Sequence, residues 1–377
     1  MKPLNIIIVN RMMGTLFGGG ENFDLNLAQA LAQQGHHVRF VIGKSYRSIA
    51  RMPKEANNFD VIYAPFFYTA WMEDKVRGYG FFSKVLASLV INFDYRSFEL
   101  SAYSKLRKDA WADVYYVCGL PLLGAALNAK APTMVRWPGI PSKVSRRFLN
   151  WYDANMAGGD VYPRISGMCK KIFKIDPGVD VDFFAPAKAK SLKNTVDFLF
   201  VGRMSRIKNV SFLLEGFACA AAERKNIRLH LVGSGDEKAG LLNLAKKLRL
   251  DAVVTFYPHA YKKDLLKLYQ MADVFTIVST YDNFPNVVLE AMACELPVIG
   301  TSVGGIPTQI QEGENGFLIS SNDVDALKEK LIYFADNKAK IDEMGIAARK
   351  FVEDTFKWEV VAKKVEEEFR ALIKERV

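Results

Sequence analysis

The chain of 377 residues is longer than a single hydrophobic core ordinarily supports, so two domains are expected. Half of the residues are hydrophobic and 24% are charged, a balance that excludes extended disorder and suits packed globular cores. Cys118, Cys169, Cys219 and Cys294 lack CxxC or metal-like spacing, which argues against a disulfide framework or a zinc site and for a reducing, cytoplasmic setting.

The amino terminus has neither the basic leader nor the cleavage site of a signal peptide. No run reaches the roughly 18 apolar residues needed to cross a bilayer, so no transmembrane segment is expected. The net charge of +10 is uneven, with 23 Lys and Arg against 15 Asp and Glu in residues 1–185 and 28 against 26 in residues 186–377. A basic first half suits anionic headgroups or phosphorylated ligands as well as plain solvation. Nothing except this charge speaks for nucleic acid, and none is expected as a partner.

In chain order, an Ile/Val strand over 4–10 runs into Gly18-Gly19-Gly20 and a helical pattern over 21–34, which Gly35 stops before a second strand over 37–42. Strand, helix and strand in this order predict a parallel sheet. Phe81, Phe82, Val85, Leu86, Leu89, Val90 and Phe93 form a helical stripe bordered by Lys75, Arg77 and Lys84 and preceded by Phe66-Phe67-Tyr68. Its spacing is that of a core face, and the basic surroundings leave peripheral contact with an anionic membrane open. Further strands are expected over 61–64, 114–117 and 133–136.

The pattern restarts with strands over 197–201, 229–232, 253–256, 274–278 and 297–300, separated by helical segments. Pro177-Gly178, Pro186 and an Ala/Lys stretch place the join within 175–194, giving domains 1–185 and 186–377. The last helical pattern, 358–373, carries Val361, Val365, Phe369 and Leu372 on one side. In open parallel sheets ligands bind outside the carboxyl ends of strands, so the residues that follow each strand are the candidates.

Two groups of such residues stand out. After the strand 274–278 come Asp282-Asn283-Phe284-Pro285-Asn286-Val287, with Glu290 inside the following helix. Pro285 suits a first helical turn, whose unbonded amides at Asn286 and Val287 and positive dipole end favour a diphosphate. Glu290 has the chemistry to accept ribose hydroxyls. Gly202-Arg203 ends the strand 197–201, with Lys208 close behind; two cations at one strand end suit two phosphates and strengthen as charge builds on a departing diphosphate. Taken singly, each group also reads as an ordinary solvated helix start or charge pair.

With these motifs in order, the chain resembles a retaining glycosyltransferase of the GT-B fold, in the GT4 family known as glycosyl transferases group 1. Asp282 and Glu290 match the family's pair of acids with seven residues between them, with Asp in place of the commoner first Glu. Pro177-Gly178-Val179-Asp180, Gly202-Arg203 with Lys208, Gly304-Gly305-Ile306-Pro307 and Asn315-Gly316-Phe317-Leu318 fall in the family's order. The resemblance implies an α/β protein of two doubly wound Rossmann-like domains facing a central cleft, the first binding the acceptor and the second the nucleotide sugar, with the last helix packing back on the first domain.

It further implies that Arg203 and Lys208 hold the donor diphosphate, Glu290 the ribose and Asp282 the sugar hydroxyls, these four being the catalytic set. Gly18, Gly19, Gly202, Asn283, Phe284, Pro285, Asn286 and Val287 complete the donor site. Gly18-Gly19-Gly20-Glu21 matches the family's glycine-rich loop and Gly35-His36 the end of its first helix. The family often has a histidine after the strand 114–117 and another after the next; here those positions are Cys118 and Pro138, so no side-chain base is assigned. His36, His37, His230 and His259 lack ligand spacing, and no metal or other cofactor is expected, the nucleotide sugar being a substrate. The acceptor is expected to be a glycan or lipid-linked, and the protein cytoplasmic, with the inner membrane face as a peripheral site. A sugar-nucleotide epimerase and a non-catalytic sugar-nucleotide-binding subunit are the alternatives.

Overall fold

A computed structural model describes residues 2–13, 19–45, 58–67, 81–188 and 193–376, with only the backbone of 81–88 and 91. The chain divides into two compact units, Met1–Asp176 with Val361–Val377, and Pro177–Val360. Residues 177–185, read from sequence with the first half, lie in the second unit because Val179, Val181 and Phe184 pack in its core.

The first unit contains β1 (Asn5–Asn10), α1 (Gly19–Gln33), β2 (His37–Lys44), β3 (Asp60–Pro65), α2 (Phe81–Leu106), β4 (Val114–Cys118), α3 (Pro121–Leu127), β5 (Thr133–Trp137), β6 (Ala154–Ala157), α4 (Val161–Ile165) and β7 (Ile172–Lys174). Its seven strands are parallel in the order β3-β2-β1-β4-β5-β6-β7. Ile6 to Val9 are completely buried, as a continuous apolar run must be when both faces of a parallel sheet are covered. β6 escaped the sequence reading because Ala154–Ala157 has no β-branched residue and a polar centre, and β7 because it is only three residues long. Asn155 is accommodated by donating to Leu149 O at 2.7 Å and accepting from Trp137 Nε1 at 2.8 Å.

In α2 the buried face runs through Asp94, Phe98, Ala102 and Leu106. Leu89 and Phe93, expected on a core face, are 62% and 55% exposed; the rest of the stripe over 81–86 and the segment 68–80 lie outside the described side chains. The inward face is thus offset from the stripe, and the buried Asp94 is neutralised by Arg11, whose guanidinium stacks on Tyr95 at 4.1 Å.

The second unit contains β8 (Val196–Val201), α5 (Val210–Glu223), β9 (Ile227–Val232), α6 (Lys238–Lys247), β10 (Val254–Tyr257), α7 (Lys262–Met271), β11 (Val274–Ile277), α8 (Asn286–Ala293), β12 (Val298–Thr301), β13 (Gly316–Ile319), α9 (Val324–Asp336) and α10 (Lys338–Phe356). Its six parallel strands run β10-β9-β8-β11-β12-β13. The last helix, α11 (Trp358–Arg376), joins the first unit from Val361 onward: Phe369 stands edge-on to Tyr116 and Arg370 donates to Lys2 O at 2.8 Å. Among the described residues no helix is long and apolar enough to cross a membrane.

Both sheets reverse strand order at their middle, next to β1 and β8, and there the connections leave on opposite faces. In the first unit that point is underlain by a buried polar network. Arg136 Nε lies 2.9 Å from Asp24 Oδ1, Tyr116 Oη donates to the same oxygen at 2.8 Å, and Asn10 Nδ2 donates to Asp24 Oδ2 at 2.6 Å. Arg136 Nη2 also donates to Gly20 O at 2.8 Å, tying the start of α1 to β5. Removing one partner of a buried pair strands the other, so Asp24→Ala is expected to lower the unfolding free energy by about 3–5 kcal/mol in urea titrations. A loss below about 1 kcal/mol would mean that the pair contributes little to holding these ends together.

Candidate functional site

The loops at the carboxyl ends of the second sheet are drawn together by their backbones. Thr280 N, after β11, donates to Ile207 O, after β8, at 2.8 Å, and Gly305 N, after β12, donates to Asp282 O at 2.9 Å. Met204 N donates to Ser234 O, after β9, at 2.8 Å. Glycine makes these approaches feasible. A Cβ on Gly304, which has a φ of +55°, would stand 1.9 Å from Asp282 O, and one on Gly233 would stand 2.0 Å from Gly202 O.

Across this junction the Lys208 ammonium meets the Asp282 carboxylate in a largely buried ion pair, so two residues 74 positions apart in sequence share one contact. Gly202 and Arg203 follow β8 directly. The Arg203 side chain is 71% exposed and lies 3.5 Å from Asp236, itself 87% exposed. A pair so open to water is worth about 0–1 kcal/mol, and Arg203 can exchange it for a stronger anion at little cost.

Asn283 and Phe284 lead into α8, Phe284 buried against Phe356. Pro285 occupies the cap position, one residue earlier than its expected place in the first turn, and its carbonyl accepts from Val288 N at 3.1 Å and Gln309 Nε2 at 3.2 Å. The first-turn amides of Asn286 and Val287 have no acceptor within the helix, and the positive end of the helix dipole adds to them. Glu290 is half-buried one turn on. Burial raises its carboxyl above the ordinary range, while Tyr269 Oη, itself fully buried, donates to Oε2 at 2.8 Å and opposes that rise.

Tyr269, Gly233 and Gly235 were missed in the sequence. The glycines had a signal in Gly233-Ser234-Gly235 directly after a strand; Tyr269 sits inside an amphipathic helix where nothing marks it.

In the first unit Gly18 lies outside the described residues, whereas Gly19 and Gly20 open α1 and Gly20 adjoins Pro138. Cys118 Sγ accepts from Arg136 Nη2 at 3.3 Å. Burial pushes its thiol far up, so that it stays protonated and cannot serve as a base. Among the described residues no three His, Cys, Asp or Glu side chains gather as metal ligands.

Both units are doubly wound parallel sheets, and superposition on solved structures gives the chain the GT-B fold. Residues 183–351 match the family described as Glycosyl transferases group 1. A sucrose-phosphate synthase of Thermosynechococcus elongatus superposes over 99% of this chain and 100% of its own, with a TM-score of 0.75 and 18% identity. Anabaena Alr3699/HepE, solved in complex with UDP, covers 98% and 100% with a TM-score of 0.76 and 17% identity. In sequence, a D-inositol 3-phosphate glycosyltransferase of Streptomyces avermitilis is 33% identical over 209 residues, 51% of this chain and 45% of the relative. The chain spans about half the length of the curated relatives it matches.

The raised Glu290 carboxyl has a consequence for stability. The folded state holds this proton to a higher pH than the unfolded chain does, so the ionisation penalty is absent below the ordinary carboxylate range and grows as pH rises through the raised value. Glu290→Gln is therefore expected to melt above the parent at about pH 7, with the gap closing near about pH 4, in differential scanning calorimetry. A lower melting temperature for the variant at neutral pH would refute the burial penalty.

Proposed function

We infer that this protein is a glycosyltransferase that moves a hexose from a nucleoside-diphosphate donor to a hydroxyl of a glycan or lipid-linked acceptor, with retention at the anomeric carbon. The observation that carries the reading is the junction of Lys208, Asp282 and the open start of α8 at the strand-order reversal of the second sheet. A cation, unbonded amides and a helix dipole converge there on the chemistry of a diphosphate.

In this reading Arg203 leaves Asp236 for the donor phosphates and Lys208 divides its charge between them and Asp282, which takes the hydroxyls of the sugar. Asn286 and Val287 offer amide hydrogens to a phosphate oxygen, with Gly19 and Gly202 allowing close backbone approach. Glu290, aimed by Tyr269, accepts from the ribose through the oxygen that the phenol leaves uncovered. The bond from the anomeric carbon to phosphate oxygen breaks, both electrons go to the diphosphate, and the acceptor oxygen bonds to the same face of the sugar. The acceptor proton passes to the departing phosphate. The protonated Cys118 thiol is consistent with a route that needs no side-chain base. In the same reading the fixed positive charge of Arg203, Lys208 and the α8 amides does the work that a metal does in other transferases.

UDP is the favoured donor base, since neighbours of the same fold are solved with UDP and UDP-glucose. The relatives named as D-inositol 3-phosphate glycosyltransferases favour a phosphorylated polyol among possible acceptors. Lys208→Ala and Glu290→Ala are each expected to slow transfer from a UDP-hexose on the order of a hundredfold, the scale of a lost transition-state donor. Rates close to the parent in both variants would remove the assignment, and conversion of the donor sugar without transfer would make the protein an epimerase. Thermal shifts with UDP-, GDP- and ADP-sugars identify the base, a donor at about 100 times its Kd stabilising by about 2.7 kcal/mol.

A further inference from the structure

Beyond Pro138, at the carboxyl end of β5, the first unit holds a surface that no transfer step uses. Residues 138–151 contain Lys143, Arg146 and Arg147, all exposed, and no acid. Within the same stretch Ile140, Val144 and Trp151 are 43%, 55% and 59% exposed. Asn150 extends the surface to a neighbouring segment, its Nδ2 donating to Met168 O at 3.1 Å and its Oδ1 accepting from Lys170 N at 2.7 Å. Met168 and Lys170 are exposed as well, and residues 166–171 again contain no acid.

Local hydrogen bonds and a ring contact fix the course of this segment. Ser145 N donates to Ser142 Oγ at 3.1 Å, and Arg146 Nε donates to the carbonyl of Pro141 at 3.1 Å. Phe148 stacks edge-on against Trp151 with ring centroids 4.9 Å apart, and the carbonyl of Leu149 is fixed by Asn155 from β6. The nearest following acids are taken, Asp153 by Arg376 and Asp160 by Arg164. Among the described residues none of Lys143, Arg146 and Arg147 has an ion-pair partner, and their charge stands beside exposed apolar groups.

We propose that this surface docks on an anionic lipid bilayer, the cations resting on headgroup phosphates while Trp151, Val144, Ile140 and Met168 enter the interfacial layer. Charge alone would suit any polyanion. The apolar groups decide the partner, because a soluble polyanion offers them no cover, whereas the headgroup boundary accepts an indole and aliphatic side chains together. A bilayer contact through one short segment is weak and salt-sensitive, as suits a reversible peripheral protein. The proposal does not depend on the transfer reaction, and its test requires none.

The full chain is sedimented with vesicles of phosphatidylcholine alone and of phosphatidylcholine with phosphatidylglycerol, at low and high salt. Binding is expected only to the anionic vesicles and to weaken with salt. Arg146→Ser with Arg147→Ser is expected to reduce partitioning on the order of twentyfold, each basic residue near the surface contributing about fivefold. Val144→Asp, which leaves every cation in place, is expected to reduce it as well. Circular dichroism melts of the variants establish that they are folded. Equal binding to both vesicle types, unchanged binding by both folded variants, or binding to soluble heparin that Val144→Asp leaves intact and that matches the vesicle affinity would each overturn the proposal.

Discussion

The second unit depends on backbone meeting backbone at the ends of its strands. Gly304 presses on the carbonyl of Asp282 and Gly233 on that of Gly202, at separations that any side chain would forbid. The loops after β8, β9, β11 and β12 therefore form one continuous floor. Because the floor is continuous, Lys208 reaches Asp282, and because α8 starts from it, the unbonded amides of Asn286 and Val287 lie in the same neighbourhood.

Around that floor the electrostatics divide the labour. Arg203 sits in a solvent-exposed pair that is easily surrendered, while Lys208 is already engaged and Glu290 carries a burial penalty relieved in part by Tyr269. Positive groups are thus arranged from loosely to tightly held, and the carboxylate held at a cost is the one assigned to neutral hydroxyls. Glu290 is a place where stability and the assigned role oppose each other. The first unit takes the reverse solution. Its buried charges, Asp24 and Arg136, satisfy each other and the neutral Cys118 thiol, so the start of α1 is supported by a network with little chemistry of its own.

The surface beyond β5 extends this division. Pro138 adjoins Gly20 on one side and opens the acid-free segment on the other, so a single connection leads from the glycine turn to the proposed bilayer contact. A protein docked there would present the carboxyl ends of the first sheet close to the lipid, where a lipid-linked acceptor resides.

From the order of residues alone, both parallel sheets and most of their strands could be read, and Arg203, Lys208, Asp282 and Glu290 could be singled out as candidates, because apolar runs, glycine turns and acid spacing are local properties. The Lys208–Asp282 contact, the hold of Tyr269 on Glu290 and the protonated state of Cys118 could not, since each depends on which strands become neighbours and how much water is excluded between them. The same limit explains β6, which becomes a strand only when β5 offers an edge, and α2, whose inward face runs through Asp94 and Phe98 and leaves Leu89 and Phe93 in solvent. Periodicity assigns a helix its faces; only tertiary packing decides which of them meets the core.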